Sequence, residues 1–161
     1  MVDKVVDNFN KEDTSIMGFW TEDTTAGVGS QFVLYSAAVI SKLEVKMYKS
    51  GAPTGTVKAR LFTSTTNIFR DKNDYANSLI AESTDLLDLD DLTGAHSTVS
   101  FTFNNVALAA GIYFVCLYSV DFVRNDGGVY VLTSASAISS MGYGTFWWSA
   151  EGRWGSWVEW D

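Results

Sequence analysis

Cysteine, proline and histidine each occur only once in this 161-residue chain. A single cysteine cannot form a disulfide within the chain, so a disulfide-stapled fold is excluded and the redox compartment is left open. Cys116 lies within the apolar run Ile112–Tyr118, where we expect a buried and unreactive thiol. Together with the single histidine, His96, it offers too few of the usual ligands for a zinc hydrolase.

Motifs for catalysis are also missing. The chain has no Gly-x-Ser-x-Gly nucleophile turn and no glycine-rich phosphate loop. A glycosidase needs only two carboxylates in a cleft, which the sequence alone does not exclude. We therefore expect no enzymatic activity, with a minor hydrolase as the remaining alternative.

Basic residues are few, with 11 Lys and Arg against 19 Asp and Glu and a net charge of −8. A nucleic-acid backbone requires clustered cations, so nucleic acid is not an expected partner. No apolar run approaches the length of a membrane span, and we expect no membrane insertion. The opening residues Met1–Asp7 lack the apolar segment of a secretory signal. We expect use without standard secretion, unless a leader has been removed.

The chain does contain segments in which apolar and polar residues alternate, as they do in strands. In Ser41–Phe62, apolar residues recur at every second position on both sides of Pro53, with charged residues between them. Period-two alternation is typical of half-buried antiparallel strands. We expect these two strands to pair as a hairpin around Gly51–Gly55, with Lys46, Lys58 and Arg60 forming a basic stripe near Glu44. The stripe is either a docking surface or, as we prefer, a set of cross-strand ion pairs.

Similar patterns predict further strands along the chain, separated by turn or loop residues such as Asn125–Gly128. Ala26–Gly29 is predicted as a loop, and Asp85–Leu92 as an irregular connection. The predicted strands are Ile16–Trp20, Ser30–Tyr35, Leu43–Lys49, Thr56–Phe62, an edge strand Leu79–Ser83, Val99–Phe103, a central strand Ile112–Ser119, Val129–Thr133, Thr145–Ser149 and Ser156–Trp160.

No segment has helical periodicity. We predict an all-β fold, an antiparallel β-sandwich of the jelly-roll type with about eight to ten strands and little or no helix. One domain covers residues 1–161, with residues 1–15 as a candidate extended arm.

The order of several short motifs resembles the jelly-roll modules of phage structural proteins and of bacterial surface proteins, which are similar to carbohydrate-binding modules. The resemblance runs from about Gln31 to Ser119. It implies the fold and supplies no functional residues. The motifs are Gln31-Phe32, Ile40–Tyr48, Gly51-Ala-Pro-Thr-Gly-Thr-Val57, Val99–Phe103 and Leu108-Ala-Ala-Gly-Ile-Tyr113.

The resemblance implies a non-enzymatic structural or binding protein. Our first hypothesis is a decoration or surface protein of a phage-type virion, such as a capsid, fibre or tail accessory protein. Its partners would be other virion subunits, including copies of itself in a homo-oligomer, and its location the virion surface. The alternative is a carbohydrate-binding module that docks a glycan, outside the cell or on a cell surface.

Aromatic residues are concentrated near the C-terminus, from Tyr143 to Trp160. Flat aromatic rings stack on sugar rings, and adjacent strand residues such as Trp147 and Trp148 face opposite sides, so one of them is expected in the core. The alternative is that all the rings close the end of the sandwich. The candidate ligand-binding residues are Trp148, Trp154, Tyr143 and Trp157.

Carboxylates are concentrated in two loops. Asp71, Asn73 and Asp74 are the candidate ligands of a structural Ca²⁺, and we expect no other cofactor. A second acidic run lies within Asp85–Asp91. Neither run has EF-hand spacing, and the alternative is a solvated acidic surface.

Overall fold

The computed structural model describes residues 15–18, 26–64, 78–119, 121–133, 145–148 and 154–156. Nearly all of the described chain is β-structure, which confirms the all-β prediction. One short 3₁₀ turn, Leu89–Asp91, is the only helical element in these ranges. The strands are β1 Ser15–Gly18, β2 Ala26–Leu34, β3 Ala38–Ser50, β4 Thr56–Thr63, β5 Leu79–Glu82, β6 Leu87–Asp88, β7 Ser97–Leu108, β8 Gly111–Ser119, β9 Gly128–Thr133, β10 Thr145–Trp148 and β11 Trp154–Ser156.

The strands form two sheets, and every described pairing is antiparallel. The smaller sheet has the order β1-β9-β3-β7. The larger sheet has the order β11-β10-β2-β8-β4-β5, and β6 also pairs with β4. The predicted edge strand is confirmed as β5, the last strand on this path.

The strand pairs are nested along the chain. β1 pairs with β9, β2 with β8, β3 with β7, and β4 with β5 and β6. Successive pairs alternate between the smaller and the larger sheet. Strands that are close in sequence are therefore mostly in different sheets, and long-range pairing builds each sheet.

The hairpin predicted around Pro53 is wrong, although both of its strands exist. β3 pairs with β7 and β9, whereas β4 pairs with β5, β6 and β8. The intervening residues carry the chain from one sheet to the other. Gly51 and Gly55 have φ values of 70° and 123°, which favour glycine, and Pro53 is buried. Alternation identifies the buried face of a strand but does not identify its partner.

The core lies between the two sheets and draws on both. The apolar faces predicted for β3 and β4 point into it from opposite sides. Its buried members from the smaller sheet are Met47, Phe101, Phe103, Leu108, Val129 and Val131, and from the larger sheet Leu34, Val57, Ala59, Leu61, Tyr113 and Leu117.

The central strand β8 lies between β2 and β4, as predicted. Leu117 faces the core, whereas Phe114 and Cys116 are buried on the opposite, outer face of the larger sheet. Burial raises the pKa of the Cys116 thiol, which agrees with the predicted inert cysteine.

The loop predicted at Ala26–Gly29 is wrong, because these residues belong to β2. A Cβ atom at Gly29 would lie 2.5 Å from Cζ of Phe114 and 2.6 Å from Cβ of Cys116. Glycine is therefore needed at this position for close packing within a strand, and not for a turn.

Two later predictions, for the turn at Asn125 and for the C-terminal hairpin, hold only in part. Asn125 and Asp126 have φ values of 41° and 57° and form the predicted tight turn. The strand that follows, β9, pairs with β1 and β3 and does not return along β8. The C-terminal hairpin exists as β10 and β11, but its second strand begins at Trp154, and residues 157–160 lie outside the described part.

Other expectations can be placed only in part. Within Asp85–Leu92, the structure has the two-residue strand β6 and the 3₁₀ turn in the predicted irregular connection. The N-terminal arm lies outside the described residues up to Ser15, which begins β1. None of the described residues forms a helix with the length and apolar character needed to cross a membrane.

Candidate functional site

The C-terminal aromatic candidates are only partly within the described structure. Trp148 and Trp154 are directly opposite each other in the antiparallel pair of β10 and β11. Tyr143 and Trp157 lie outside the described residues. The fold therefore brings two of the four candidates together at one end of the larger sheet.

The strand register separates Trp147 from Trp148. Trp147 shares its row across the larger sheet with core residues, through Val28, Leu117 and Ala59. Trp148 shares the next row with residues of the outer face, namely Gly27, Tyr118 and Lys58. The register thus places Trp148 in a different row from Trp147, and its role in ligand binding stays a prediction.

Arg60 holds a fixed place on the same outer face. Its guanidinium carbon lies 3.9 Å from the ring centroid of Tyr118, and its Nε donates a hydrogen bond to Oε1 of Glu82 at 2.6 Å. Lys58 Nζ lies 3.8 Å from Oε2 of the same carboxylate. A cation over an aromatic face contributes about 0.5–1 kcal/mol at partly exposed sites. The guanidinium of Arg60 therefore helps to hold the ring of Tyr118 in place.

The single basic stripe predicted for Lys46, Lys58 and Arg60 is wrong. Lys46 lies on β3 in the smaller sheet, and the other two residues lie on β4 in the larger sheet. The preferred alternative, cross-strand ion pairing, is confirmed for Lys58 and Arg60, because both reach Glu82 on β5. The stripe assumed a hairpin that the fold does not form.

The candidate calcium ligands Asp71, Asn73 and Asp74 lie outside the described residues, so the calcium site stays a prediction. In the part of the chain that the structure describes, no three His, Cys, Asp or Glu side chains converge as metal ligands would.

The second acidic run has structural contacts. Asp85 Oδ2 accepts a hydrogen bond from the backbone N of Thr102 at 2.6 Å, and Asp88 Oδ1 accepts one from the backbone N of Asp90 at 3.0 Å. Hydrogen bonds from the side chain and backbone of Thr102 lower the pKa of Asp85. Asp85 lies between β5 and β6, which both pair with β4 of the larger sheet, whereas Thr102 lies on β7 of the smaller sheet. The hydrogen bond of Asp85 therefore links the two sheets at one margin.

Asp121 is a structural carboxylate that the sequence analysis missed. It accepts hydrogen bonds from the backbone N of Thr56 at 2.8 Å and from the hydroxyl of Ser119 at 3.1 Å. Burial raises the pKa of Asp121, but the hydrogen bonds from Thr56 and Ser119 outweigh that effect, and the pKa is lowered. No motif marks this residue, because its partner Thr56 is 65 positions away in the sequence.

A second aromatic group lies on the outer face of the smaller sheet. Tyr48 and Tyr130 are directly opposite on β3 and β9, and their rings are stacked with centroids 4.9 Å apart and planes 18° apart. The ring of His96 lies 4.7 Å from that of Tyr48. We call these three residues the tyrosine row. The sequence analysis missed it because its members come from three distant segments.

The outer faces of the two sheets differ in exposure. On the larger sheet, Phe114 and Cys116 are buried, so part of this face is covered. On the smaller sheet, the residues around the tyrosine row are exposed and polar: Lys42, Glu44, Lys46, Thr98, Ser100 and Thr102. Among the described residues, the smaller sheet therefore has the more open face.

Comparison with known proteins provides no relative for this chain. No family model, curated protein or solved structure matches it. The resemblance to jelly-roll modules therefore depends on the motifs of the chain itself.

Proposed function

We propose that this protein is a non-enzymatic jelly-roll protein that serves as a structural or surface component of a phage-type particle. The nested strand pairing, which alternates between the two sheets, is the observation that carries the proposal. A long antiparallel ribbon wound into two facing sheets produces this order, and double-sheet jelly rolls form viral capsid and lectin domains.

The contacts of the candidate catalytic groups support a non-enzymatic role. The thiol of Cys116 is buried and its pKa is raised, so it has little thiolate for nucleophilic attack. The ring of His96 packs at a tilt against that of Tyr48, and Asp85 and Asp121 accept hydrogen bonds from backbone amides. The contacts of these four described groups are thus of the kind that hold a fold together.

The edge strand β5 supports assembly with further copies of the chain. It is the last strand of the larger sheet in the described residues, and Leu79 and Ile80 on it are 51% and 37% exposed. An exposed apolar edge strand is a template for pairing with another chain. We therefore assign the contact between subunits to β5.

The test is the mass of the purified protein in solution, measured by size-exclusion chromatography with light scattering. We expect a trimer or larger assembly, and we expect Ile80→Lys to dissociate it. Leu86→Lys is the matched control, because Leu86 is 56% exposed but lies outside β5. A monomer at all concentrations, or an assembly that both variants leave intact, would count against this proposal.

A second candidate function is glycan binding at the C-terminal end of the larger sheet. It is favoured by the register row that contains Trp148 and Tyr118, with Trp154 opposite Trp148. Aromatic residues beside polar groups such as Arg60 and Glu82 suit a sugar ring, which presents both C–H and hydroxyl groups. A glycan array with wild type, Trp148→Ala and Trp154→Ala tests it, with Tyr35→Ala as the control for an exposed aromatic residue elsewhere.

A further inference from the structure

We propose that the exposed edge of β7 is a second contact surface, at which two copies of this chain pair strand to strand about a two-fold axis. The inference rests on the proposed function for its occupant, a further copy of the chain, and adds a contact separate from that at β5. It depends on the direction of the backbone groups of β7, on what closes the rest of its edge and on the uncharged character of the strand.

The backbone groups of β7 point alternately toward β3 and away from it. The backbone N of Thr102 donates a hydrogen bond to Oδ2 of Asp85 at 2.6 Å, and its carbonyl oxygen accepts one from the backbone N of Thr84 at 2.8 Å. Both groups of Thr102 therefore point away from β3. This direction alternates along an antiparallel strand, and the β3–β7 register shifts only on the C-terminal side of Thr102. The N–H and C=O groups of Thr98 and Ser100 consequently point away from β3 as well.

Within the described structure, the open part of this edge is its N-terminal half. Thr98 and Ser100 are exposed, whereas the segment after β5 occupies the backbone groups of Thr102. Farther along, Asn105 has a φ of 48° and the register with β3 shifts, which disturbs a flat edge. Prolines, charged side chains and bulges are the features that normally keep edge strands from pairing. The segment Ser97–Phe101 contains none of them.

The open half of β7 is complementary to itself. An antiparallel pair centred on Val99 places Thr98 of each copy opposite Ser100 of the other copy. Because the backbone groups of Thr98 and Ser100 point outward, each such pair exchanges both of its N–H···O bonds. The half-buried Val99, which packs on the core, then meets Val99 of the second copy. Threonine–serine pairs and pairs of β-branched residues are favourable cross-strand neighbours.

Charge favours a second copy at this edge. None of the twelve residues of β7 is charged, whereas the whole chain has a net charge of −8. Two copies of an acidic protein repel each other, and this repulsion is weakest where uncharged segments meet. The edge of β7 is therefore a place where two copies can approach closely.

The contact at β7 lies apart from that assigned to β5. Leu79 of β5 is opposite Phe62, which is opposite Phe114 near the start of β8. The apolar part of β5 is therefore near the end of the sandwich where β7 continues into β8, and the open half of β7 extends toward the other end. One kind of contact closes a ring or extends a filament. A second, two-fold contact would join such units into the larger assembly that a particle surface needs.

The experiment is sedimentation equilibrium of the full chain carrying Ile80→Lys, which removes the contact assigned to β5. We expect this variant to form dimers. Adding Thr98→Pro removes an N–H that points away from β3, so the ladder with β3 is kept and the dissociation constant of the dimer should rise at least about tenfold. Adding Thr98→Ala instead is the matched control, because it keeps the N–H and should dimerise as Ile80→Lys does. Circular dichroism checks that each variant is folded.

The outcomes separate this inference from the proposed function. If wild type assembles and Ile80→Lys is a monomer at all concentrations, the β5 contact stands and the β7 contact is overturned. If wild type is a dimer that Ile80→Lys leaves intact and Thr98→Pro dissociates, the β7 contact stands and the assignment to β5 fails. A wild type that is always monomeric overturns both. Equal dissociation constants with Thr98→Pro and Thr98→Ala overturn the strand pairing.

Discussion

Arg60 lies against the ring of Tyr118 on the neighbouring strand, with its guanidinium carbon 3.9 Å from the ring centroid. The same guanidinium binds Glu82 on the other side through Nε at 2.6 Å. One side chain of β4 therefore connects β8 to the edge strand β5 on the outer face of the larger sheet. The attachment of β5, to which we assign subunit contact, depends partly on this residue.

Replacing Arg60 should loosen this edge. Arg60→Ala removes the hydrogen-bonded ion pair and the contact with Tyr118, so we expect a loss of about 1–2 kcal/mol in the free energy of unfolding. Lys42→Ala is the control, because the Lys42–Glu44 pair is about half exposed and should contribute less than about 0.5 kcal/mol. Urea denaturation measures both, and equal losses would show that Arg60 has no special role.

Gly29 should not tolerate a side chain. In Gly29→Ala the new methyl group would collide with the ring of Phe114 and with Cβ of Cys116, and such overpacking costs about 1–3 kcal/mol. In the matched control, Gly94→Ala, the nearest heavy atom would be the carbonyl oxygen of Lys49 at 3.7 Å, an ordinary contact. Thermal denaturation of the two variants should separate them, and similar midpoints would contradict the packing on the outer face.

The hydrogen bonds of Asp121 should make stability depend on pH. Because the folded state has the lower pKa, the carboxylate stabilises the fold above its unfolded pKa of about 4. That stability is lost as the pH falls through the folded value. Asp121→Asn should be less stable than wild type at pH 7, and the difference should shrink below about pH 4. Denaturation curves from pH 7 to pH 2 test this, and a constant difference would disprove the linkage.

Cys116 should resist thiol reagents while the protein is folded. Its thiol is 1% exposed and its pKa is raised, so both access and thiolate formation are limited. We expect Ellman's reagent to give no rapid reaction in native buffer and one thiol per chain in urea. A rapid reaction without denaturant would mean that the outer face of the larger sheet opens readily.

The predictions of which face each strand buries succeeded because they depend on local properties. Alternation in β3, β4 and β7 identified which residues are buried, and the continuous apolar run of β8 identified a central strand. Two predictions that depended on strand partners did not succeed: the hairpin at Pro53 and the basic stripe both assumed that β3 and β4 pair. In this fold, nested pairs alternate between sheets, so partners are set by long-range packing.

The sequence by itself determined the all-β class, the buried faces of the main strands, the inert environment of Cys116 and several turn positions. These follow from side-chain period, burial and local backbone preference, which act over a few residues. Only the tertiary structure decided that β3 and β4 lie in different sheets, that Asp121 binds Thr56, and that Tyr48, Tyr130 and His96 form one row. Those relationships join residues up to about 80 positions apart, and no local pattern specifies which distant strands meet when the two sheets close on a shared core.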